Sequence, residues 1–373
     1  MSATVCIAAR TVDYPTGGGH AWVYLNWALG LRALGCRVIW LEEMPVRGDP
    51  GERIGALEDR LRSYGFDEIA LTEHDGSSPT LPAARRHLDL DAAADEADLL
   101  LNVKYELERE VVARFRRTAL LDIDPGLSQV WLANGWVQIA PHDVYLTIGE
   151  TVGTPEALFP DAGLEWHHVR PAVHLDIWTV TDDSPTRPFT TVSHWPMNHQ
   201  DNPRPNTKRH GFLPYLDLPS LTSEQVELAI SMFGEPAPAE LVDHGWSVVE
   251  AWEVAGTPGT YRDYIRSSRG EFSCVKPSCV EYQNAWISDR TICYFASGRP
   301  AVIEHTGPSA FLPDGEGLFR FRSPAEAAAQ LEAVAGDYER QSRFARALAE
   351  EHFDSRKSAA RALEIALSVK ARA

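Results

Sequence analysis

The run Pro15-Thr16-Gly17-Gly18-Gly19-His20 lies between an apolar, strand-like stretch, Thr4–Ala9, and an amphipathic, helix-like stretch, Ala21–Leu34. Adjacent glycines let the backbone approach a ligand closely and leave amide groups bare. The helix that follows adds unpaired N–H groups and the positive end of its dipole. Gly17, Gly18 and Gly19 therefore suit a phosphate or diphosphate; the alternative is a glycine-rich surface turn. A dinucleotide fingerprint would place Gly-x-Gly-x-x-Gly directly after the strand. Here Thr11–Thr16 intervenes and the glycines are contiguous, although Glu42 stands after the second apolar run, where a ribose-binding acid would.

Three further residues at the ends of first-half segments are candidates for proton transfer. His20 opens the first helix, whose positive end favours a neutral imidazole able to act as a base. It could equally donate a hydrogen bond or cap the helix. Asp122-Ile123-Asp124-Pro125-Gly126 follows an apolar strand. An Asp-x-Asp pair can hold a divalent ion, but aspartates also make local turn hydrogen bonds, and Asp89-Leu90-Asp91 repeats the spacing within a helix-like stretch. Glu150, in the strand-end loop Thr147-Ile148-Gly149-Glu150-Thr151, is a candidate acid or base.

In the second half, Lys276 ends a strand-like run and Ser288, Asp289 and Arg290 open a helix that stops at Ser297-Gly298-Arg299-Pro300. Lysine and arginine beside helix N–H groups make a diphosphate clamp. Removing Arg290 is then expected to weaken nucleotide binding and to spare the fold. Asp289 could bond ribose hydroxyls, or Arg290 could pair with a nearby acid. Thr306-Gly307 forms another turn able to bare N–H groups. His194-Trp195 follows the first strand of this half and is placed in a ligand-facing loop. His194 and His199 lie five apart beside a proline, which does not match the i, i+4 spacing of a helical metal site. Trp131 and Trp136 share one region and could stack on an apolar or sugar ligand; for most of the tryptophans the alternative is core filling.

These residues need a scaffold. Apolar runs at Thr4–Ala9, Arg37–Leu41, Glu68–Leu71, Asp98–Val103, Thr118–Ile123 and Val144–Ile148 alternate with charged, alanine-rich stretches such as Glu52–Ser63 and Glu106–Arg116. Such alternation predicts a parallel sheet covered on both faces. It restarts with Phe189–Ser193, Val226–Phe233, Trp246–Glu250, Phe272–Lys276, Ala301–Glu304 and Leu318–Phe321. Ser323-Pro324-Ala325-Glu326 is a capping box opening a helix to about Val334, and an amphipathic region runs from Tyr338 to Lys370. The expected domains are 1–178, a linker at 179–187, 188–350, and a C-terminal helix at 351–373 crossing back to the first domain. The expected fold is α/β, two facing Rossmann-like domains with ligands in an interdomain cleft.

Composition narrows the partners. The chain has 373 residues, a net charge of −18 and five irregularly spaced cysteines. The charge disfavours nucleic acid, and the cysteines suit a reducing, cytoplasmic setting. Thr4–Ala9 is read as a first strand rather than a signal peptide, and no run approaches the ~20 apolar residues of a membrane helix.

Ser288-Asp289-Arg290-Thr291 with Phe295-Ala296-Ser297-Gly298-Arg299-Pro300 resembles the donor-binding helix of bacterial glycosyltransferases of the GT-B fold and of spore-maturation-type glycosyltransferases. Thr306-Gly307, Leu312-Pro313-Asp314-Gly315-Glu316-Gly317, Gly18-Gly19-His20, Asp122–Gly126, Thr147–Glu150 and Ser193-His194-Trp195 extend the resemblance to an uncharacterised bacterial glycosyltransferase group. It implies transfer from a nucleotide-diphosphate sugar to a small-molecule acceptor, in natural-product biosynthesis, without a metal, with a homodimer left open. Cys293 departs from the pattern, standing where related retaining enzymes carry a ribose-binding glutamate. A nucleotide-sugar 2-epimerase of the same fold, a non-catalytic nucleotide- or sugar-binding protein and an Asp-x-Asp metal-dependent transferase are the rival readings.

Overall fold

The computed structural model describes residues 3–44, 50–74, 76–77, 79, 87–181, 187–195, 206–232 and 234–370. The centre of the expected linker, most of the 198–206 loop, His199 and Phe233 lie outside the described residues. The chain divides into two compact units: 1–153, 159–174 and 355–373 form the first, and 154–158 with 175–354 the second.

The first unit is built on seven strands: β1 (Thr4–Ala9), β2 (Arg37–Glu43), β3 (Ile69–Thr72), β4 (Leu99–Asn102), β5 (Thr118–Asp122), β6 (Val144–Thr147) and β7 (Trp166–His168). All pairings are parallel and the order is β3-β2-β1-β4-β5-β6-β7. The strands are apolar on both faces because helices cover both. Register is set by pairs such as Cys6↔Ile39 and Cys6↔Leu100, which meet in a core with Leu107, Val111 and Phe115. Among the strands described here, β7 was not expected. The expected helix over Glu106–Arg116 is reduced to Arg109–Val112, because Lys104–Glu106 forms a tight turn with Tyr105 at φ +48°.

The second unit repeats the plan with β8 (Phe189–Ser193), β9 (Val226–Ile230), β10 (Ser247–Glu250), β11 (Gly270–Ser273), β12 (Ala301–Glu304) and β13 (Leu318–Phe321), ordered β10-β9-β8-β11-β12-β13. Its core holds Phe212, Trp246, Phe272 and Phe321, the last two stacked with centroids 5.3 Å apart. In each unit the order reverses beside the first strand, between β1 and β4 and between β8 and β11. That is the switch point where parallel sheets open a crevice at their carboxyl ends.

The helix Gly18–Ala33 is buried along most of its length and packs on β1 and β2. It ends where Gly35, at φ +83°, lets the Cys36 N–H return to the Leu31 carbonyl at 3.1 Å. The amphipathic C-terminal region is not one helix. Tyr338–Leu348 runs into a π-type turn, Ala349–Phe353, and Ser355–Ser368 follows as a separate helix of the first unit. That last helix crosses Gly18–Ala33 at Gly30, where a Cβ would stand 2.5 Å from the Ser355 carbonyl oxygen. Gly30→Val should therefore force the two helices apart and cost about 1–3 kcal/mol, read as a lower urea midpoint at unchanged m-value.

Candidate functional site

In the first unit, the segment leaving β1 is held by Glu42 at the end of β2. Its buried carboxylate accepts the Thr11 N–H at 2.9 Å, the Val12 N–H at 3.4 Å, the Trp40 Nε1–H at 3.0 Å and the Thr11 hydroxyl. Glu42 is thus engaged within the protein, which corrects the ribose-binding reading. Beyond it, Gly17 closes a turn on Tyr14 and caps the helix without a side-chain bond. The helix begins at Gly18, not Ala21, so Gly18, Gly19 and His20 occupy its first turn. Their N–H groups have no intrahelical acceptor. Gly17 is needed for packing, not for chain reversal: at φ −99° its Cβ would lie 3.2–3.3 Å from Tyr14 and His20.

His20 Nε2 lies 2.6 Å from the Arg10 carbonyl oxygen. A carbonyl only accepts, so Nε2 carries the proton and Nδ1 keeps the lone pair of the neutral ring. Burial is the largest cause lowering the His20 pKa; the Arg10 carbonyl works against it, Arg10 and Arg60 add to the lowering, and Asp124 opposes it. Burial therefore stands ahead of the helix end as the reason the ring is neutral.

The two aspartates after β5 differ. Buried Asp122 accepts Gln129 Nε2–H at 2.8 Å, the Thr147 hydroxyl at 2.7 Å and the Asp124 N–H at 3.1 Å. Burial raises its pKa. It ties β5 to β6 and so does not form an open pair of carboxylates with Asp124. Among the described residues no three His, Cys, Asp or Glu side chains are grouped to hold a metal. Asp124 instead accepts the Tyr105 hydroxyl at 2.9 Å. Glu150 sits in the next loop, where Gly149 presses on Pro125 so closely that a Cβ would be 2.3 Å from the proline ring. The loops bearing His20, Asp124 and Glu150 therefore share one edge of the first sheet.

In the second unit, Arg290 turns inward. Its Nε donates to Glu271 Oε1 at 2.7 Å, Nη1 to the Val192 carbonyl at 2.9 Å and Nη2 to the Ser273 hydroxyl at 2.6 Å. Ser288 caps the helix by accepting the Arg290 N–H at 3.2 Å, and Asp289 is half-buried beside it. Cys293 is buried with Sγ 3.2 Å from the Asp289 carbonyl. Trp195 belongs to the hydrophobic core, its indole donating to Glu240 at 3.2 Å, whereas His194 is exposed. This corrects the pairing of His194 and Trp195 in one ligand-facing loop. The Thr306-Gly307 turn packs on the segment before the Ser288 helix: Thr306 donates to the Trp286 carbonyl at 2.9 Å, and the Gly307 N–H bonds His305 Nδ1 at 3.1 Å. Gln283 and Ala285 there adopt left-handed φ of +48° and +55°, a local strain often kept at functional sites.

Lys208 escaped the sequence reading. It lies on a five-residue helix, Lys208–Phe212, brought against the strand end at Val275 by Gly211, where a Cβ would be 1.8 Å from the Val275 carbonyl oxygen. Its Nζ donates to the Cys274 carbonyl at 2.9 Å and stands 5.4 Å from the Trp286 ring centre. Burial lowers its pKa to about 8, and neighbouring Arg290 and Lys276 push the same way. The Ser193 and Ser278 hydroxyls and Trp286 Nε1 are buried with no hydrogen-bond partner among the described residues. The carboxyl edge of the second sheet thus gathers three cations and several unanswered donors. The signal in the sequence was Lys208-Arg209-His210-Gly211 after the proline- and asparagine-rich loop.

Two Rossmann-type domains in one chain, together with full-length structural similarity to solved glycosyltransferases, define an α/β fold of the GT-B class. The similar structures include Anabaena Alr3699/HepE in complex with UDP-glucose, 13% identical, covering 97% of this chain and 100% of that one, with a TM-score of 0.59. They also include an alpha-glucosyltransferase in complex with UDP-glucose and DNA containing an abasic site, 10% identical, covering 99% of this chain and 100% of that one, with a TM-score of 0.56. No protein-family model matches the sequence, and no curated protein sequence matches it significantly.

The Arg290–Glu271 pair corrects the expectation that removing Arg290 spares the fold. Glu271 is fully buried, so Arg290→Ala would leave it uncompensated and should cost about 3–5 kcal/mol in urea unfolding. The double substitution Arg290→Met/Glu271→Met should recover most of that loss.

Proposed function

We propose that the protein is a glycosyltransferase that moves a sugar from a nucleotide-diphosphate donor to a small-molecule acceptor. The observation that carries this reading is the cluster at the carboxyl edge of the second sheet. Arg290 and Lys276 both act on Lys208 there, with Glu271 as the acid that answers Arg290. Ser193, Ser278 and Trp286 add donors lacking acceptors among the described residues. An oxygen-rich dianion answers both the charge and the donors. Stabilising the departing diphosphate is the largest electrostatic service such a site offers, and with lysines in that role we propose that no metal is required. The solved neighbours bound to UDP-glucose support the donor class.

In this reading the first unit supplies the acceptor chemistry. Gly18 and Gly19 present amides without an intrahelical acceptor, Gly17, whose own N–H is taken by the Tyr14 carbonyl, leads the chain into them, His20 offers Nδ1 as the base, and Asp124 and Glu150 flank it. Ser288, Asp289, Thr306 and Gly307 border the donor, with Asp289 serving the ribose in place of the residue at Cys293. His194 is exposed near the strand end and remains available to the donor. One neighbour was solved with DNA, but a net charge of −18 favours a small acceptor over a polyanion. A natural-product acceptor, a cytoplasmic setting and a homodimer belong to the same proposal.

The test is a calorimetric titration of the full chain with UDP, GDP and dTDP, followed by product analysis with and without acceptors. Binding of one nucleotide with acceptor-dependent sugar transfer in the presence of chelator supports the reading. Donor conversion without acceptor would instead indicate an epimerase, and binding without turnover a non-catalytic protein. The pH dependence is specific. Lys208 loses its proton as pH rises through about 8, so nucleotide affinity should fall above that pH. Lys208→Met should weaken binding by roughly tenfold or more, about 1.4 kcal/mol, and flatten the dependence.

A further inference from the structure

The first unit contains a pocket of about 870 Å³ at the carboxyl ends of β1, β2 and β4, beside its switch point. That volume falls within the roughly 300–1,000 Å³ of small-molecule sites. From the residues around it we infer that this pocket binds a neutral, flat hydroxyl-bearing molecule with an aromatic body.

Among the described residues every charged group of the wall but Arg109 has a partner of opposite sign, and with Arg109 counted four carboxylates (Asp13, Glu43, Glu106, Glu108) still face three Lys and Arg side chains. Lys104 is paired with Glu43, both nearly buried. His74 bonds the same Glu43 through Nδ1 at 2.8 Å and Glu108 through Nε2 at 3.1 Å. Arg10 bonds Glu106 at 2.9 Å and approaches Asp13 at 3.6 Å. An anion would enter among an excess of carboxylates, a cation would have to break these pairs, and either charge would lose hydration in the attempt. Besides Arg109 and Gln138, what the wall leaves unsatisfied is apolar: Leu132, Trp136, Val137, Ile139, Met44 and Leu107. Trp136 lines the pocket while 70% exposed, the largest such exposure among the bulky apolar side chains described. An exposed indole over an apolar recess gains by stacking on a flat partner.

The wall is also pre-shaped. His142 Nδ1 donates to the Ala140 carbonyl at 2.6 Å, which leaves Nε2 to accept from Asn102 Nδ2 at 3.1 Å. Asn102 Oδ1 in turn accepts the Lys104 N–H at 3.0 Å. The 136–141 wall is thereby tied to the end of β4. The tight turn at Tyr105 places Lys104 and Glu106 on the pocket wall and sends its own hydroxyl to Asp124, while the carbonyl of Arg10, another wall residue, holds His20. A ligand hydroxyl in this pocket adjoins the segments that hold His20 and Asp124. That the ligand is the glycosyl acceptor rests on the transferase reading; that the pocket binds it does not.

Calorimetry on the full chain without nucleotide separates the two claims. The probes are 2-naphthol, 2-naphthyl phosphate and myo-inositol, which keep the ring and hydroxyl, add charge, or remove the apolar face. 2-Naphthol should bind, with the phosphate ester at least fivefold weaker and inositol undetected. Trp136→Ala should weaken 2-naphthol at least fivefold at unchanged thermal midpoint, and Trp136→Phe should restore most of it. Equal or tighter binding of the phosphate ester, no binding of 2-naphthol, or full affinity in Trp136→Ala would each overturn the inference. Naphthol binding with no sugar transfer from any donor would leave the pocket standing and count against the transferase reading alone.

Discussion

A single carboxylate governs the chemistry-bearing edge of the first unit. Glu42 gathers two backbone amides, a hydroxyl and an indole N–H, all from groups that would otherwise be buried without partners. Burial alone pushes its pKa up, and those donors pull it back toward the ionised form. The consequence reaches outward. With Thr11 and Val12 fixed, the Arg10 carbonyl has a defined position, and His20 takes its tautomer from that carbonyl. The ring nitrogen that keeps its lone pair is therefore chosen by an acid the histidine never touches.

The second unit solves a parallel problem differently. Glu271 and Arg290 are both withdrawn from water, and the pair is completed by the Val192 carbonyl and the Ser273 hydroxyl. This joins the ends of β8 and β11 to the first turn of the Asp289–Ala296 helix, across the point where the strand order reverses. Lys208, less fully answered, is held by a carbonyl and an aromatic face. One cation is engaged in building the edge and another is left with affinity to offer, a division of labour between two residue types of the same sign.

Much of the scaffold was legible in the sequence because parallel strands buried on both faces appear as short continuous apolar runs. β1, β8, β12 and β13 occupy their expected ranges, and the Ser323 cap accepts the Glu326 N–H as its spacing implies. β7 was hidden because Trp166-His167-His168 is short and half-polar. The shortened helix after β4 was hidden because a left-handed tyrosine leaves no mark in composition. Site roles were less legible than site positions. Asp122 and Asp124 look alike in sequence, yet one is a buried tie and the other faces a tyrosine hydroxyl. Trp195 reads as a loop aromatic and is core. Which way a polar side chain turns depends on partners distant in the chain, and spacing does not carry that information.

The crossing of Ser355–Ser368 over Gly30 has a temporal side. The ribosome releases the helix Gly18–Ala33 early, with its apolar flank cut back to admit a close neighbour, and delivers that neighbour only after the whole second unit has been made. Until then the first unit lacks one of its walls. The nascent chain must carry an incompletely covered hydrophobic surface while the second unit is being made, a period when other exposed chains compete for it.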